Sequence, residues 1–315
     1  MNYLKKWIKV SGYWTRISII SQQNIVFSND KLKLPKETKV IFMIPGNPGN
    51  DGYYKAFGTH LLEKLKINKP KNDYIFLSIS HVNHVYMKGD NENKENVYKL
   101  QFQVDHKYHF VNDFLGKENE IIMMGHSIGS FMMLKIFLKL KELGYENINL
   151  AFGLFPTIER MSCTPNGQKL YSILKFLDNN PHFTKCITFW FDIMPVFVKK
   201  FLVNCNLGFN NSIPLCITES TVELFNTTVI RNIIHMSRDE LDNVLEYNFD
   251  LKRYSSNIYL YYGLKDGWVP INYGSDMLNR EQLNDGHVIF DTTDSEHAFV
   301  IKESKIIADE LIKFL

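Results

Sequence analysis

Residues 121–131 read IIMMGHSIGSF, and this stretch decides the fold. Four apolar residues make a short buried strand, and the apolar residues after Ile128 suit a helix. Between them stands Gly-His-Ser-Ile-Gly (125–129). A strand that turns at once into a helix needs positions without β-carbons at the crossing, and Gly125 and Gly129 supply them. Ser127 then sits on the elbow with its hydroxyl clear of the sheet. Gly and Ser are common, so the pentapeptide gains its meaning from the strand before it and the helix after it.

Working outward, Arg16–Ile20 and Asn24–Phe27 read as an opening β-hairpin. Lys39–Ile44 is an apolar strand that ends in Pro-Gly-Asn-Pro-Gly-Asn (45–50), Tyr53–Leu65 is helical, and Tyr74–Ile79 is a second apolar strand. His81–Asn96 is polar loop. Val97, Leu100, Val104, Tyr108, Val111 and Leu115 then fall at steps of three and four, which predicts an amphipathic helix. Strand Ile121–Met124, helix Ser127–Leu143 and strand Asn149–Leu154 follow. Asn257–Tyr262 and His287–Phe290 are later strands, and Ala298–Phe314 is a closing helix. All-apolar strands alternating with helices predict an α/β fold: a mostly parallel central sheet flanked by helices. Residues 156–235 break this rhythm and are rich in aromatics. They read as an inserted helical cap above the carboxyl ends of the strands, within one domain spanning 1–315.

A serine becomes a nucleophile only with a base in reach and a carboxylate to orient the base. On folds with this elbow the acid and then the histidine follow the serine in the chain. Asp266 lies just past strand Asn257–Tyr262, and His297 just past strand His287–Phe290, so the three residues converge on one sheet edge. Ser127 is therefore the expected nucleophile, His297 the general base and acid, and Asp266 the orienting group. The oxyanion needs backbone donors. Ile128 N–H, after the nucleophile, is one; the loop 45–50 offers Asn47 as the other, unless that loop is a plain turn. His126 is a weaker candidate base, packed beside the elbow. Asp291, Asp294 and Glu296 compete with Asp266 from the loop of His297 itself. His81 and His84 follow a strand at the active edge and are candidates for contact with substrate.

The composition narrows the rest. A net charge of +2 gives no field for nucleic acid. Cys163, Cys186, Cys205 and Cys216 show no C-x-x-C spacing, which suits reduced thiols in a cytosolic setting. No spacing of His, Cys or Glu points to a metal, and no glycine-rich loop points to a nucleotide, so no cofactor is expected. Phe183–Val203 (FTKCITFWFDIMPVFVKKFLV) is mostly apolar, but Asp192, Pro195 and Lys199–Lys200 divide it into runs too short for a ~20-residue membrane span. It reads as cap helices lining an acyl pocket, as an interfacial anchor, or as both. In the anchor reading Phe189, Trp190, Phe191 and Phe197 dip into lipid, while Lys185, Lys199 and Lys200 stay near the headgroups.

At Ile41–Asn50 (IFMIPGNPGN), Gly125–Gly129 (GHSIG) and Leu154–Gly167 (LFPTIERMSCTPNG) the chain resembles the lipid droplet-associated hydrolase family. Ser78–His84 (SISHVNH) and Tyr261–Pro270 (YYGLKDGWVP) fit the same pattern, so the resemblance runs from strand Lys39–Ile44 to the end of the chain. LFPTIERMS is specific, whereas GHSIG is shared with many hydrolases. The resemblance implies an α/β-hydrolase fold and a Ser-Asp-His triad at Ser127, Asp266 and His297. It also implies a place on lipid droplets and endoplasmic reticulum, at their cytosolic face, and hydrolysis of neutral lipid esters such as sterol esters or acylglycerols. Gly267 departs from the pattern, standing where proline is expected. The expected activity is thus a serine carboxylic ester hydrolase whose partner is a lipid surface, bound peripherally or through a hairpin. The alternatives are a droplet scaffold with a vestigial site, or an acyltransferase or thioesterase on the same fold.

Overall fold

The computed structural model describes residues 1–23, 25–28, 31–35, 37–89, 96–115 and 117–315. The strands are β1 (Asn2–Val10), β2 (Tyr13–Ser21), β3 (Val26–Ser28), β4 (Lys31–Lys33), β5 (Lys39–Ile44), β6 (Tyr74–Ile79), β7 (Ile121–His126), β8 (Ile148–Leu154), β9 (Ile258–Tyr262) and β10 (Val288–Phe290). The helices are α1 (Lys55–Asn68), α2 (Leu100–Phe110), α3 (Ile128–Glu142), α4 (Pro165–Asn179), α5 (Pro181–Thr188), α6 (Trp190–Ile193), α7 (Val196–Asn206), α8 (Leu215–Glu223), α9 (Thr227–Asn243), α10 (Ile271–Asn279) and α11 (Ser304–Leu311).

An 8-stranded sheet carries the order β1-β2-β6-β5-β7-β8-β9-β10. The ladders from β6 to β10 are parallel, while β1, β2 and β6 pair antiparallel. The continuous apolar runs of the middle strands follow from their place in the sheet. In β5, Val40, Phe42 and Ile44 face a core shared with α2, α3 and α10, while Ile41 and Met43 face one shared with α1 and α11. Both faces are covered, so both sets of alternating side chains must be apolar. Each fully buried aromatic, such as Phe42, Phe110 or Phe137, contributes roughly 1.5–3 kcal/mol by leaving water.

The opening hairpin differs from its expected form. Arg16–Ile20 lies within β2, but its partner is β1, in a register that sets Lys6 opposite Ile17 and Ile8 opposite Thr15. Val26–Ser28 pairs with β4 in a separate two-stranded ribbon, and Asn24 lies outside the described residues. Three lysines hide β1 from an apolar search. They suit an edge strand, where charge blocks pairing with another chain. The helix expected over Val97–Leu115 begins at Leu100, and Val111–Leu115 continues it as a π-helical turn. Of the polar loop His81–Asn96, residues 90–95 lie outside the described residues. The closing helix is shorter than expected, because residues 298–303 are turns that carry the chain away from His297.

Between β8 and β9 the chain runs through α4 to α9, past residue 235 to Asn243. One buried polar cluster ties these helices to the sheet. The Arg16 guanidinium on β2 donates to Asp51 Oδ1 at 2.8 Å and to both carboxylate oxygens of Glu223 on α8 at 2.7 and 2.8 Å. Its Nη2 also donates to Asn50 Oδ1 at 3.1 Å. Asp51 is fully buried and takes a further bond from Ser80 Oγ at 2.6 Å. Removing Arg16 leaves the buried Asp51 carboxylate without its cation. Arg16→Met is therefore expected to cost about 3–5 kcal/mol, read as a lowered urea midpoint at unchanged slope.

Candidate active site

The crossing from β7 to α3 is as tight as its glycines require. A β-carbon on Gly125 would stand 2.3 Å from Gly129 O, and one on Gly129 would stand 2.3 Å from Ile44 O and 2.4 Å from Pro45 O. Ser127 takes φ 54°, ψ −126°, a conformation that costs an L-residue about 1–3 kcal/mol and persists only where its surroundings over-determine it. They do so here. Ser127 N–H donates to Leu154 O at 2.9 Å, and Ser127 O accepts from Ser130 N–H at 2.9 Å and Thr157 N–H at 3.4 Å. Ser130 Oγ closes the turn by donating to Gly125 O at 2.9 Å. The segment after β8, which includes Phe155 at φ 49°, thus clasps the elbow.

The three expected residues form one hydrogen-bonded line. His297 Nε2 lies 2.9 Å from Ser127 Oγ, and His297 Nδ1 lies 2.6 Å from Asp266 Oδ2. Asp266 is buried in the turn after β9, and its Oδ1 accepts from Trp268 N–H at 2.7 Å and Val269 N–H at 3.0 Å. Its Oδ2 accepts from His297 Nδ1–H, which fixes the tautomer of the ring. Nε2 is then the acceptor that faces the serine hydroxyl. The rival carboxylates are engaged elsewhere. Asp294 pairs with Lys265 at 2.8 Å, and Asp291 accepts from Tyr261, Thr293 and Ser295. Glu296 is exposed.

His126 supports this line from behind. Gly46 N–H donates to Tyr54 Oη at 3.0 Å, Tyr54 Oη lies 2.8 Å from His126 Nδ1, and His126 Nε2 lies 2.8 Å from the backbone oxygen of His297. The last contact needs a proton on Nε2, so Nδ1 accepts the tyrosine proton. Burial, reinforced by the neighbouring His297, pushes His126 down to about 3, so it stays neutral and acts as a strut. Nothing in the sequence spacing singles out Tyr54.

Ile128 is the first residue of α3, and its N–H has no acceptor within the helix. Asn47 lines the same cavity as Ser127, and its side chain is tied to α9. His81 and His84 do not reach that cavity, which corrects the expected contact with substrate. Both are buried behind the loop 45–50, where a β-carbon on Gly49 would collide with the His81 ring. Gly49 N–H donates to His84 Nδ1 at 3.0 Å, and burial, with Lys107 nearby, pushes His84 down to about 3. The two rings shape the loop because the polypeptide, not the ligand, needs them there. Burial also holds Lys107 well below the usual lysine range. Its nitrogen donates to Ser80 O at 2.9 Å and Gln103 Oε1 at 3.1 Å.

The cavity over Ser127 measures about 350 Å³. Met161, Leu207, Ile217, Trp268, Val300 and Ile301 give it an apolar wall. Glu240 on α9 also faces it, a residue that the sequence did not single out. Gly267, in the acid's turn, packs against Asn166 at the start of α4. A β-carbon there would come 2.8 Å from the Asn166 amide, and Gly267 O accepts Asn166 N–H at 3.0 Å.

Beside the cavity, α5 to α7 expose a run of large apolar side chains. Phe189, Trp190 and Phe197 are 57%, 40% and 74% exposed, and Ile193, Val196 and Phe201 join them. Phe191 differs from the others, being half-buried against Phe225 at 5.0 Å. Lys199 is also held inward, donating to Phe225 O at 2.7 Å. Among the described residues no helix is long and apolar enough to cross a membrane.

The family model described as "Lipid-droplet associated hydrolase" matches residues 37–300. A Mus musculus protein named "Lipid droplet-associated hydrolase" is 28% identical over 306 residues, covering 94% of this chain and 90% of its own length. A Gallus gallus protein of the same name is 31% identical over 288 residues, covering 88% and 85%. Among solved structures, a serine hydrolase from Cycloclasticus zankles superposes with TM-score 0.59 at 11% identity, over 99% of this chain and 98% of that one. At that identity the likeness concerns the fold, which is that of the α/β-hydrolases. If the hydrogen-bonded line activates Ser127, a fluorophosphonate probe labels the wild type and not Ser127→Ala. Asp266→Asn, which allows the wrong tautomer of His297, slows labelling by about 10⁴-fold. The check is in-gel fluorescence with the labelled peptide identified by mass spectrometry.

Proposed function

The chain belongs to the lipid droplet-associated hydrolase family, and from its site we propose a serine ester hydrolase that acts on neutral lipid esters at the droplet surface. The observation that carries this reading is the line Asp266–His297–Ser127 at the floor of an apolar cavity beside an exposed apolar helical face.

Ser127 Oγ attacks the ester carbonyl carbon as its proton passes to His297 Nε2. The carbonyl oxygen takes up the negative charge and is held by the N–H groups of Ile128 and Asn47. Asp266 stabilises the imidazolium. The tetrahedral intermediate collapses, the C–O bond to the alcohol breaks, and His297 returns the proton to the departing alkoxide. A water molecule then gives its proton to His297 and attacks the acyl-enzyme. A second collapse frees the fatty acid and restores Ser127 Oγ–H. His126 and Tyr54 hold the backbone of His297 through both half-reactions.

The apolar wall suits an acyl chain, and the substrates of this reading are sterol esters or acylglycerols. The exposed face of α5 to α7 favours a lipid surface as partner. Phe189, Trp190 and Phe197 enter the acyl boundary while Lys185 and Lys200 stay with the headgroups. In this reading the protein sits peripherally on lipid droplets and on the cytosolic face of the endoplasmic reticulum.

A panel of sterol esters and acylglycerols in phospholipid-coated emulsion, read by mass spectrometry, tests the activity. Wild type is expected to release fatty acid and Ser127→Ala is not. Equal release by both would refute the hydrolase reading. Full rescue of cellular droplet phenotypes by Ser127→Ala would favour a scaffold instead. For the surface, each large apolar side chain buried in lipid contributes roughly 1.5–3 kcal/mol. Phe189→Ser with Trp190→Ser and Phe197→Ser is thus expected to lower flotation with emulsion by at least about tenfold. Phosphonate labelling of Ser127 in the same variant shows that it is folded.

A further inference from the structure

Helix α9 crosses the loop after β5 and grips one side chain of it. Asn47 Nδ2 lies 2.8 Å from Ser237 Oγ, 3.0 Å from Glu240 Oε1 and 3.2 Å from Ile233 O. All three acceptors belong to α9, so the grip couples the cap to the loop that carries the oxyanion donor. Glu240 is 4% exposed and lines the cavity with Ser127 and His297.

The surroundings of Glu240 differ from those of the buried carboxylates Asp51, Glu159, Asp266 and Asp291. Asp266 has two backbone N–H groups and an imidazole, Asp51 has the Arg16 guanidinium, and Asp291 has two hydroxyls and two backbone N–H groups. Glu159 has a bidentate pair with Arg280 at 2.5 and 2.7 Å. Among the described residues Glu240 has one neutral amide and no cation. A buried carboxylate without compensation takes up a proton instead. Burial and the adjacent Asp239 together raise Glu240 to about 8, against the pull of the Asn47 amide. The charged groups nearby do not offset this. Asp239 is bound to Leu100 N–H on α2, and Arg238 and Asp242 are engaged by Asp178 and Tyr171 on α4. On the side of α5, His235 pairs with the same Asp178. Across the cavity His126 is neutral and His297 is committed to Asp266.

We propose that Glu240 is a positioning residue for ester hydrolysis: from the cap it holds the Asn47 side chain, and through it the oxyanion loop. The proposal rests on the hydrolase reading above. Two consequences follow from the geometry. The oxyanion donor is fully set only when α9 is seated, so the cap completes the site as well as covering it. When Glu240 ionises, a negative charge stands on the cavity wall beside the loop that must stabilise another negative charge, so turnover falls as pH rises past about 8.

The test measures hydrolysis of a dissolved short-chain nitrophenyl ester by the full chain from pH 6 to 10. Wild type, Glu240→Gln, Glu240→Ala and Ser237→Ala are compared. Gln keeps the acceptor for Asn47 and cannot ionise. It is expected to retain turnover at pH 7 within about threefold and to lack the decline above pH 8. Ala removes the grip and is expected to lower kcat by about tenfold or more while KM changes far less. Ser237→Ala is expected to lower kcat by a smaller factor and to keep the alkaline decline. An active wild type with Glu240→Ala equal to it, or with Glu240→Gln declining along the same alkaline limb, overturns the proposal alone. A wild type that neither hydrolyses the ester nor takes the phosphonate overturns the hydrolase reading and this proposal with it. Should Glu240→Ala fail to fold, the pH profile of the near-isosteric Glu240→Gln still decides.

Discussion

The hydrogen bond from Ser127 N–H to Leu154 O, at 2.9 Å, joins the elbow to the neighbouring strand and holds a serine where its backbone would not otherwise rest. The site depends on that restraint. It requires Gly125 and Gly129, because any side chain there would push α3 off the ends of β5 and β7. It requires the segment after β8 to fold back, so that Thr157 N–H reaches Ser127 O. With the elbow fixed, Ser127 Oγ meets an imidazole that is itself fixed twice, by Asp266 on its ring and by His126 on its backbone. Strain at one residue is thus offset by hydrogen bonds from its own helix and from the segment around the end of β8.

Along residues 46–49 of the loop after β5 the electrostatic arrangement is one of dipoles. His84 and His126 are buried and neutral, and Glu240 is uncharged at neutral pH. Such groups can aim N–H and O–H bonds at the backbone without adding a field that competes with the reacting charge. The ion that matters most to the chemistry, Asp266, sits on the far side of His297, where its charge stabilises the imidazolium. A buried pair of opposite charges does occur at Arg16 and Asp51, where Arg16 also reaches Glu223 on α8 and so braces the cap against the sheet.

Much of this was legible in the sequence, for identifiable physical reasons. Strands covered on both faces must be apolar throughout, so β5, β6 and β7 stand out. A strand-to-helix elbow needs its glycines in place. Asp266 and His297 follow strand ends, where side chains are presented to a site. The parts that were hidden depend on contacts without a local pattern. Strand β1 pairs through its backbone and shows lysines because it lies at an edge. Tyr54 and Glu240 look like ordinary helix residues until the fold sets one against His126 and the other against Asn47, 193 positions away. Lys199 reads as a headgroup contact, and only the position of Phe225 O shows that it turns inward. His81 and His84 lie at the active edge, as a strand end predicts, but they face the loop's underside.

The bond between Arg16 and Glu223 spans 207 positions, and this bears on how the molecule is made. Contacts so distant in sequence form late, after the loop-closure entropy between them has been overcome. During synthesis from the amino terminus, β1 and β2 leave the ribosome long before α8 does. Until then Arg16 has no Glu223 to pair with, and the lysine-rich edge of β1 is what keeps the waiting hairpin from joining another chain. The same contact that seats the cap in the finished protein therefore marks the moment when the nascent chain can first close over its own active site.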